Sequence, residues 1–273
     1  MTTLQRARGR YRLSARSRDG RTCLAELEQG GCCRLLFPKR AIAALEAVTV
    51  NISGGLAAGD RIEGWLECGP DTDCLVTSQA AERVYRARAD DPPAMVALNC
   101  TVGAHARLEW LPHGTIFFDG CRLRRRMTVE MDASSSFLFL EYRLLGRIGS
   151  GEALHRLDVH DRLSVRRNGR PILEDRMRLE SGDVSALLAR GAVTGGRAAI
   201  ATLVLIAADA EARVAQVRHR LGAGIGGDFA CSAWNGVLVV RGIARQGREL
   251  EARVRHLLPA LRDHRPMPAT WRS

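Results

Sequence analysis

Glycine-rich segments and a serine between glycines are the local patterns in this chain that could do chemistry. Residues 222–227 match GxGxxG, but a dinucleotide site needs that motif between a strand and a helix, and here it follows a predicted helix. The loop 51–60 has no lysine at the position that a P-loop requires. The segment around Ser150 lacks the register of a nucleophile elbow. No local motif therefore indicates a catalytic or cofactor-binding site.

The histidines and cysteines do not have the spacing of a permanent metal site. His155 and His160 lie five residues apart in a predicted strand, so they point to opposite faces and cannot share an ion. The eight cysteines contain no CxxC pair. The start of the chain has no signal-peptide core, so we expect a cytoplasmic protein with reduced, buried thiols and no tightly bound cofactor. A transient metal path built from scattered ligands would leave no spacing signature.

Charge and length limit the classes of function. The chain has 273 residues and a formal charge of +11, and only one of its 41 basic residues, Lys39, is a lysine. Two basic clusters stand out: Arg6, Arg8, Arg10 and Arg12, and then Arg122, Arg124, Arg125 and Arg126. A basic nucleic-acid-binding β protein is therefore an alternative, although aromatics are only 5% of the chain and no known module is present. No run of eighteen apolar residues indicates a membrane span.

Most of the first two thirds of the chain alternates polar and apolar residues with period two, which is typical of strands. The pattern is clear in the segments 10–14, 61–67, 104–111, 127–131 and 155–166. Asn168-Gly169 after the last of these predicts a tight hairpin. Many short strands separated by turns predict a sandwich, a barrel or a β-solenoid, and periodicity does not choose among the three.

The last third of the chain has a different pattern. The apolar run 198–208 predicts a buried strand, and 234–243 predicts another. Asp209 could cap a helix over 210–221. Apolar residues at helical spacing predict an amphipathic helix over 247–262, with Leu250, Val254, Leu257, Leu258 and Leu261 on one face. Because no long linker is present, we expect a single domain over 1–273.

A set of motifs then runs in order along nearly the whole chain. They are the segments 36–39, 51–60, 77–86, 108–112 with 115–120, 145–147 with 151–152, and 268–272. Within them the residues that match the motifs are Asn51, Ser53, Gly54, Gly55, Gly59, Asp60, Gln79, Ala80, Glu82, Tyr85, Arg86, Trp110, Pro112, Gly146, Arg147, Trp271 and Arg272. Together these segments resemble the UreD (UreH) family of urease accessory proteins. One departure is His113-Gly114, which stands where the family commonly has Gln-Glu, so any role of that carboxylate does not carry over.

The resemblance implies a mainly β fold, a helical, solenoid-like stack of many short strands with two or three α-helices in the C-terminal third. It also implies a non-enzymatic maturation factor. Such a protein is a chaperone and scaffold that joins UreF and the GTPase UreG on the urease structural subunits. It helps to deliver nickel, which passes through in transit, and it binds neither nucleic acid nor membrane.

A carrier path for nickel needs weak, exchangeable ligands, because a closed cage would trap the ion. Our candidates lie in or beside the matching motifs, where polar groups stand among apolar strand residues. We expect them to contribute to the path or to hold the loops that shape it: Asp60, Ser78, Glu82, Glu109, Asp119 and Glu141. The C-terminal region 250–272 is our candidate for the contact with UreF.

Overall fold

Two facing β-sheets and a layer of helices build the fold. The computed structural model describes residues 5–39, 44–88, 90–147, 151–222 and 227–271. The seven-stranded sheet has the order β14 (Arg170–Ser181), β13 (Leu157–Arg167), β11 (Arg122–Met131), β8 (Ala94–Val102), β5 (Arg61–Cys68), β1 (Arg8–Arg18) and β2 (Arg21–Gly31).

The second sheet has ten strands. Its main path is β16 (Asp228–Trp234), β17 (Val237–Ala244), β15 (Ala199–Ile206), β12 (Ser136–Leu145), β9 (Arg107–Leu111), β6 (Asp73–Ser78), β4 (Leu45–Asn51) and β3 (Cys33–Leu36). Two short strands leave this path, because β10 (Thr115–Phe117) pairs with both β12 and β7 (Glu82–Val84). The α-helices of the described residues are α1 (Val184–Ala189), α2 (Val214–Leu221) and α3 (Gly247–Leu261).

Between β5 and β13 the chain alternates between the two sheets. The strands β5, β8, β11 and β13 lie side by side and parallel in one sheet, while β6, β9 and β12 do the same in the other. Each passage therefore adds one strand to each sheet. The prediction of a mainly β chain with helices in its last third is confirmed. The solenoid-like order implied by the resemblance stays a prediction, as does the single domain over 1–273.

Strand periodicity decides which side chains fill the space between the sheets. In β13, Leu157, Val159, Leu163 and Val165 are buried at alternate positions and face the other sheet. The strand β12 is buried on both faces because α3 covers its far side together with β15 and β17. The predicted apolar face of α3 is buried in that second layer, with Leu250, Val254, Leu257 and Leu258 at 0% exposure.

The hairpin predicted at Asn168-Gly169 is confirmed, since both residues have positive φ and join β13 to β14. The single strand predicted over 234–243 is wrong. The structure has two antiparallel strands there, β16 and β17, joined at Asn235-Gly236, where φ is again positive at both residues. This second Asn-Gly pair carries the same turn signal as the first.

The helix predicted over 210–221 begins differently from expectation. A 3-10 turn occupies Glu211–Arg213, and α2 starts only at Val214. Neither start has a side-chain cap, and the Asp209 carboxylate instead accepts a hydrogen bond from Arg213 at 2.8 Å. Cysteine behaves as predicted, because all eight thiols are free and all except the partly buried Cys23 are buried.

Candidate functional site

The motif segments meet at one edge of the ten-stranded sheet. The parallel strands β4, β6, β9 and β12 end at this edge. The segments 51–60, 77–86, 108–120 and 145–152 each contain or directly follow one of these strand ends. Pairing of β10 with β7 on one side and with β12 on the other joins three of the segments directly. Motifs that are far apart in the sequence therefore form one continuous structure.

The glycine-rich loop 51–60 packs closely against the segment that follows β6. A Cβ atom on Gly55 would lie 2.5 Å from the Tyr85 ring and 2.8 Å from the Arg83 carbonyl oxygen. The Tyr85 hydroxyl donates to the Gly54 carbonyl at 2.7 Å. Because φ is +79° at Gly54 and +148° at Gly55, the loop needs glycine both for its conformation and for this approach.

Two of the candidate carboxylates hold loop backbone in place. Asp60 accepts hydrogen bonds from the backbone N–H groups of Ala7 and Ala57, both at 2.8 Å. Asp119 accepts from the N–H groups of His155 at 2.6 Å and Arg156 at 2.9 Å, and it also binds the Arg86 guanidinium. Burial opposes ionisation of Asp119, but these donors hold its pKa at about 2.

A cavity of about 320 Å³ lies between the two sheets behind this edge. Three of the six candidate path residues line it: Ser78, Glu82 and Glu141. The motif residues Asn51, Gly54, Gly55, Gln79, Ala80, Trp110 and Pro112 are also part of its wall. Gln79 and Ala80 are exposed, so the cavity opens to solvent beside them. Asp60, Glu109 and Asp119 do not belong to this wall as the structure describes it.

Ser78 and Glu82 supply oxygen ligands near the opening. The Ser78 hydroxyl donates to the Ala80 carbonyl at 3.0 Å and accepts from the His113 N–H at 2.8 Å. Both carboxylate oxygens of Glu82 lie 3.4 Å from the Asn51 amide nitrogen. Burial raises the pKa of Glu82, against smaller opposing effects of Asn51 and nearby arginines. A divalent cation beside Glu82 would favour its ionised form.

Deeper in the cavity, Glu141 belongs to a charge network that sequence analysis missed. Arg125 lies 2.7 Å from Glu141 and donates to Asp161 at 3.0 Å, and Arg143 donates to the same Asp161 at 2.6 Å. Burial disfavours the charge of Asp161, but the two arginines outweigh it and hold its pKa well below the usual range. Two cations and two carboxylates thus balance across the two sheets.

The sequence does contain a signal for this network. Asp161 stands at an inward position of an alternating strand, between Val159 and Leu163. Arg125 stands in the same way between Leu123 and Met127. A charged residue on the buried face of a strand must find a partner, but local periodicity does not identify that partner.

Glu109 acts in another place than the cavity, between the ten-stranded sheet and the C-terminal segment. Its carboxylate accepts from Arg262 at 2.6 Å and 2.9 Å and from Arg265 at 3.3 Å. The side chains of Glu109 and Arg262 are each only 2% exposed. This arrangement fastens the chain after α3 to the sheet.

His113-Gly114, the departure from the family pattern, also contacts the C-terminal segment. The His113 ring stacks on Trp271 with centroids 5.1 Å apart, and its Nε2 lies 3.2 Å from the Thr270 carbonyl oxygen. A Cβ atom on Gly114 would lie 2.3 Å from the Tyr142 ring. Tyr142 therefore occupies the space that a larger residue at 114 would need. Arg272, the last motif residue, lies outside the described residues.

The outer face of the seven-stranded sheet is less basic than the sequence suggests. Arg122 and Arg124 both pair with Asp158, at 3.1 Å and 2.6 Å, and Arg125 points into the cavity network. In the described part of the chain, Asp158, His160 and Glu180 are close enough to hold one metal ion. However, Arg124 and Arg178 pair with the two carboxylates, so their charge would repel a cation there.

Comparison with known sequences defines a class of protein, that of urease accessory factors. The family model described as "UreD urease accessory protein" matches residues 7–272. The urease accessory protein UreD of Rhizobium johnstonii is 43% identical over 270 residues, which cover 99% of this chain and 97% of the relative. UreD of Xanthobacter autotrophicus is 41% identical over 267 residues, 98% of this chain and 90% of the relative.

This chain belongs to the UreD family, as the resemblance implied. Its relatives are named as accessory proteins, which are non-catalytic, and on that ground the prediction that the chain is not an enzyme is confirmed. None of the helices in the described part of the chain has the length and apolarity needed to cross a membrane.

Proposed function

We propose that this chain is a scaffold in urease maturation that binds the urease apoprotein together with UreF and UreG. The observation that carries this proposal is the match to UreD relatives over 99% of the chain. A second support is that the family-motif segments form one packed edge of the ten-stranded sheet instead of lying scattered over the surface. The alternating order of β5 to β13 also supports a flattened helical stack of strands as the framework.

We propose further that nickel passes through the cavity between the sheets on its way to urease. Ser78 and Glu82 would supply exchangeable oxygen ligands near the opening, because neither is held by an arginine in the described structure. Glu141 is neutralised by Arg125, so it would shape the wall more than it would bind the ion. Asp60, Glu109 and Asp119 would act by holding loops and the C-terminal segment.

The contact with UreF would use the C-terminal region 250–272. The apolar face of α3 is buried against the ten-stranded sheet, so this contact would use the polar side of α3 and the segment after it. A partner that grips this region would sense the cavity wall, because His113 stacks on Trp271 and also belongs to the wall.

Co-purification tests the scaffold role. We expect the tagged full-length chain, co-expressed with UreF, UreG and the urease subunits, to retain all of them on an affinity column. A chain that is folded by circular dichroism and retains neither UreF nor urease contradicts the proposal.

Exchange of a single carboxylate tests the nickel route. Glu82→Gln keeps the shape of the side chain and its bond to Asn51, but removes the charge that attracts a cation. We expect urease matured with this variant to contain less nickel at equal amounts of complex, measured by mass spectrometry of the metal. Glu67→Gln is the matched control, because Glu67 is exposed and pairs with Arg12 on the outer face. Equal nickel content with both variants contradicts a role of Glu82 in the route.

A further inference from the structure

Two neighbouring thiols, Cys32 and Cys33, lie together beside β1. Adjacent residues of a regular strand point to opposite faces. Here the chain bends between β2 and β3, with φ of +62° at Gly31, and both thiols lie over Gly9. A Cβ atom on Gly9 would be 2.3 Å from the Cys33 sulfur and 2.7 Å from the Cys32 sulfur. Since a zinc–sulfur bond is about 2.3 Å long, one ion can bind two sulfur atoms held this close together.

The pair is buried but has access to the cavity. Cys32 is 7% and Cys33 4% exposed, and Cys33 is part of the cavity wall. In the sheet, Cys33 pairs directly with Asn51, whose amide nitrogen lies 3.4 Å from Glu82. The thiols and the Glu82 carboxylate therefore lie on the same part of the wall. Burial, with smaller effects of Cys32 and Glu82, raises the pKa of Cys33 to about 12.

We propose that Cys32 and Cys33 form a two-thiol site for a divalent metal ion of the Ni²⁺ and Zn²⁺ class, with Glu82 as a third ligand from the cavity wall. Thiolates favour these ions over Mg²⁺ and Ca²⁺, which prefer oxygen ligands. Each thiol gives its proton to solvent as its bond to the metal forms. Proton competition then weakens binding at neutral pH, which keeps the ion exchangeable.

For the choice of nickel as the first ion to test, this inference rests on the proposed function. The measurement does not involve urease or the partner proteins, so the failure of one proposal is distinguishable from the failure of the other. Nickel delivery through oxygen ligands alone would leave the thiols idle, and a thiol site would bind metal even if the chain never met urease.

Titration of the reduced full-length chain with Ni²⁺, with Mg²⁺ as the negative control, tests the site. We expect a thiolate-to-nickel charge-transfer band with one ion bound per chain, and none with Mg²⁺. The apparent affinity should rise about tenfold per pH unit for each thiol proton displaced. Cys32→Ser and Cys33→Ser should each lower the band and weaken binding by about tenfold or more. Cys23→Ser, which removes the partly buried thiol, is the control that should bind normally.

A variant that keeps both thiols guards against effects of misfolding. Gly9→Ala adds a Cβ where both sulfur atoms lie, so it should separate them and weaken Ni²⁺ binding while the thiol count stays the same. Circular dichroism and thermal melting of every variant show whether it is folded. Absence of a charge-transfer band in the folded wild-type chain, or a band that persists in the Cys32→Ser/Cys33→Ser double variant, overturns the proposal.

Discussion

Replacement of Glu109 by alanine removes one partner of the most deeply buried ion pair between the ten-stranded sheet and the C-terminal segment. The side chains of Glu109 and Arg262 are each 2% exposed, with 2.6 Å between a carboxylate oxygen and Nη2. Without Glu109, the Arg262 guanidinium would keep its bond to the Pro266 carbonyl at 3.0 Å, but its charge would have no buried counter-ion beside it. Breaking a buried pair in this way costs about 3–5 kcal/mol.

Urea unfolding of wild type and Glu109→Ala, followed by tryptophan fluorescence, measures this cost. The control is Glu67→Ala, which breaks an exposed pair with Arg12 at 3.3 Å and should cost no more than about 1 kcal/mol. The double variant Glu109→Leu/Arg262→Met should recover most of the lost stability, because apolar groups of similar size replace both charges. A loss under about 1 kcal/mol for Glu109→Ala would refute the reasoning, since it would mean that Arg262 reaches water or another anion.

Three further predictions concern the loops at the edge of the sheet. Because the pKa of Asp119 is held at about 2, below 3.8, its ionised form stabilises the fold above pH 3.8 and this contribution is lost as the pH falls toward 2. The difference in unfolding free energy between wild type and Asp119→Asn should shrink over that range, and a difference independent of pH would contradict this. Gly55→Ala should destabilise more than Gly54→Ala in urea unfolding, because both have positive φ but only a Cβ at 55 meets other atoms; equal losses would show that packing is not the cause. Gly114→Ala should cost about 1–3 kcal/mol by overpacking against Tyr142, and a smaller ring-free residue at 142 should relieve part of that cost in the same assay.

Strand periodicity predicted the buried faces of the sheets because it is a local property. Leu157, Val159 and Leu163 alternate with polar residues, and each of them faces the other sheet. The hairpin at Asn168-Gly169 was equally local, and the same signal at Asn235-Gly236 went unused when 234–243 was interpreted as one strand. The strand and helix types followed from such signals, whereas the start of α2 did not, since the tertiary structure uses Asp209 for an ion pair.

The candidate site divides along the same line. Six polar residues were chosen because they stand in or beside motifs, and the structure puts Ser78, Glu82 and Glu141 on one cavity wall. Asp60, Glu109 and Asp119 stand elsewhere, because their partners come from distant parts of the chain. Arg125 looked like part of a basic surface and is instead an internal counter-ion for Asp161. A charge pattern in sequence does not reveal which charges are neutralised.

By itself, the sequence determined the mainly β character, the inward and outward faces of the strands, the helical layer at the end of the chain and the membership of the UreD family. The tertiary structure alone decided which strand ends meet, which carboxylates line the cavity and which arginines are already paired. The physical reason is that periodicity and turn chemistry act within a few residues. The parallel pairing of β4, β6, β9 and β12, by contrast, joins residues that are tens of positions apart. Where a polar side chain stands within its strand is a local fact, and what it contacts is decided by the strand from the next passage.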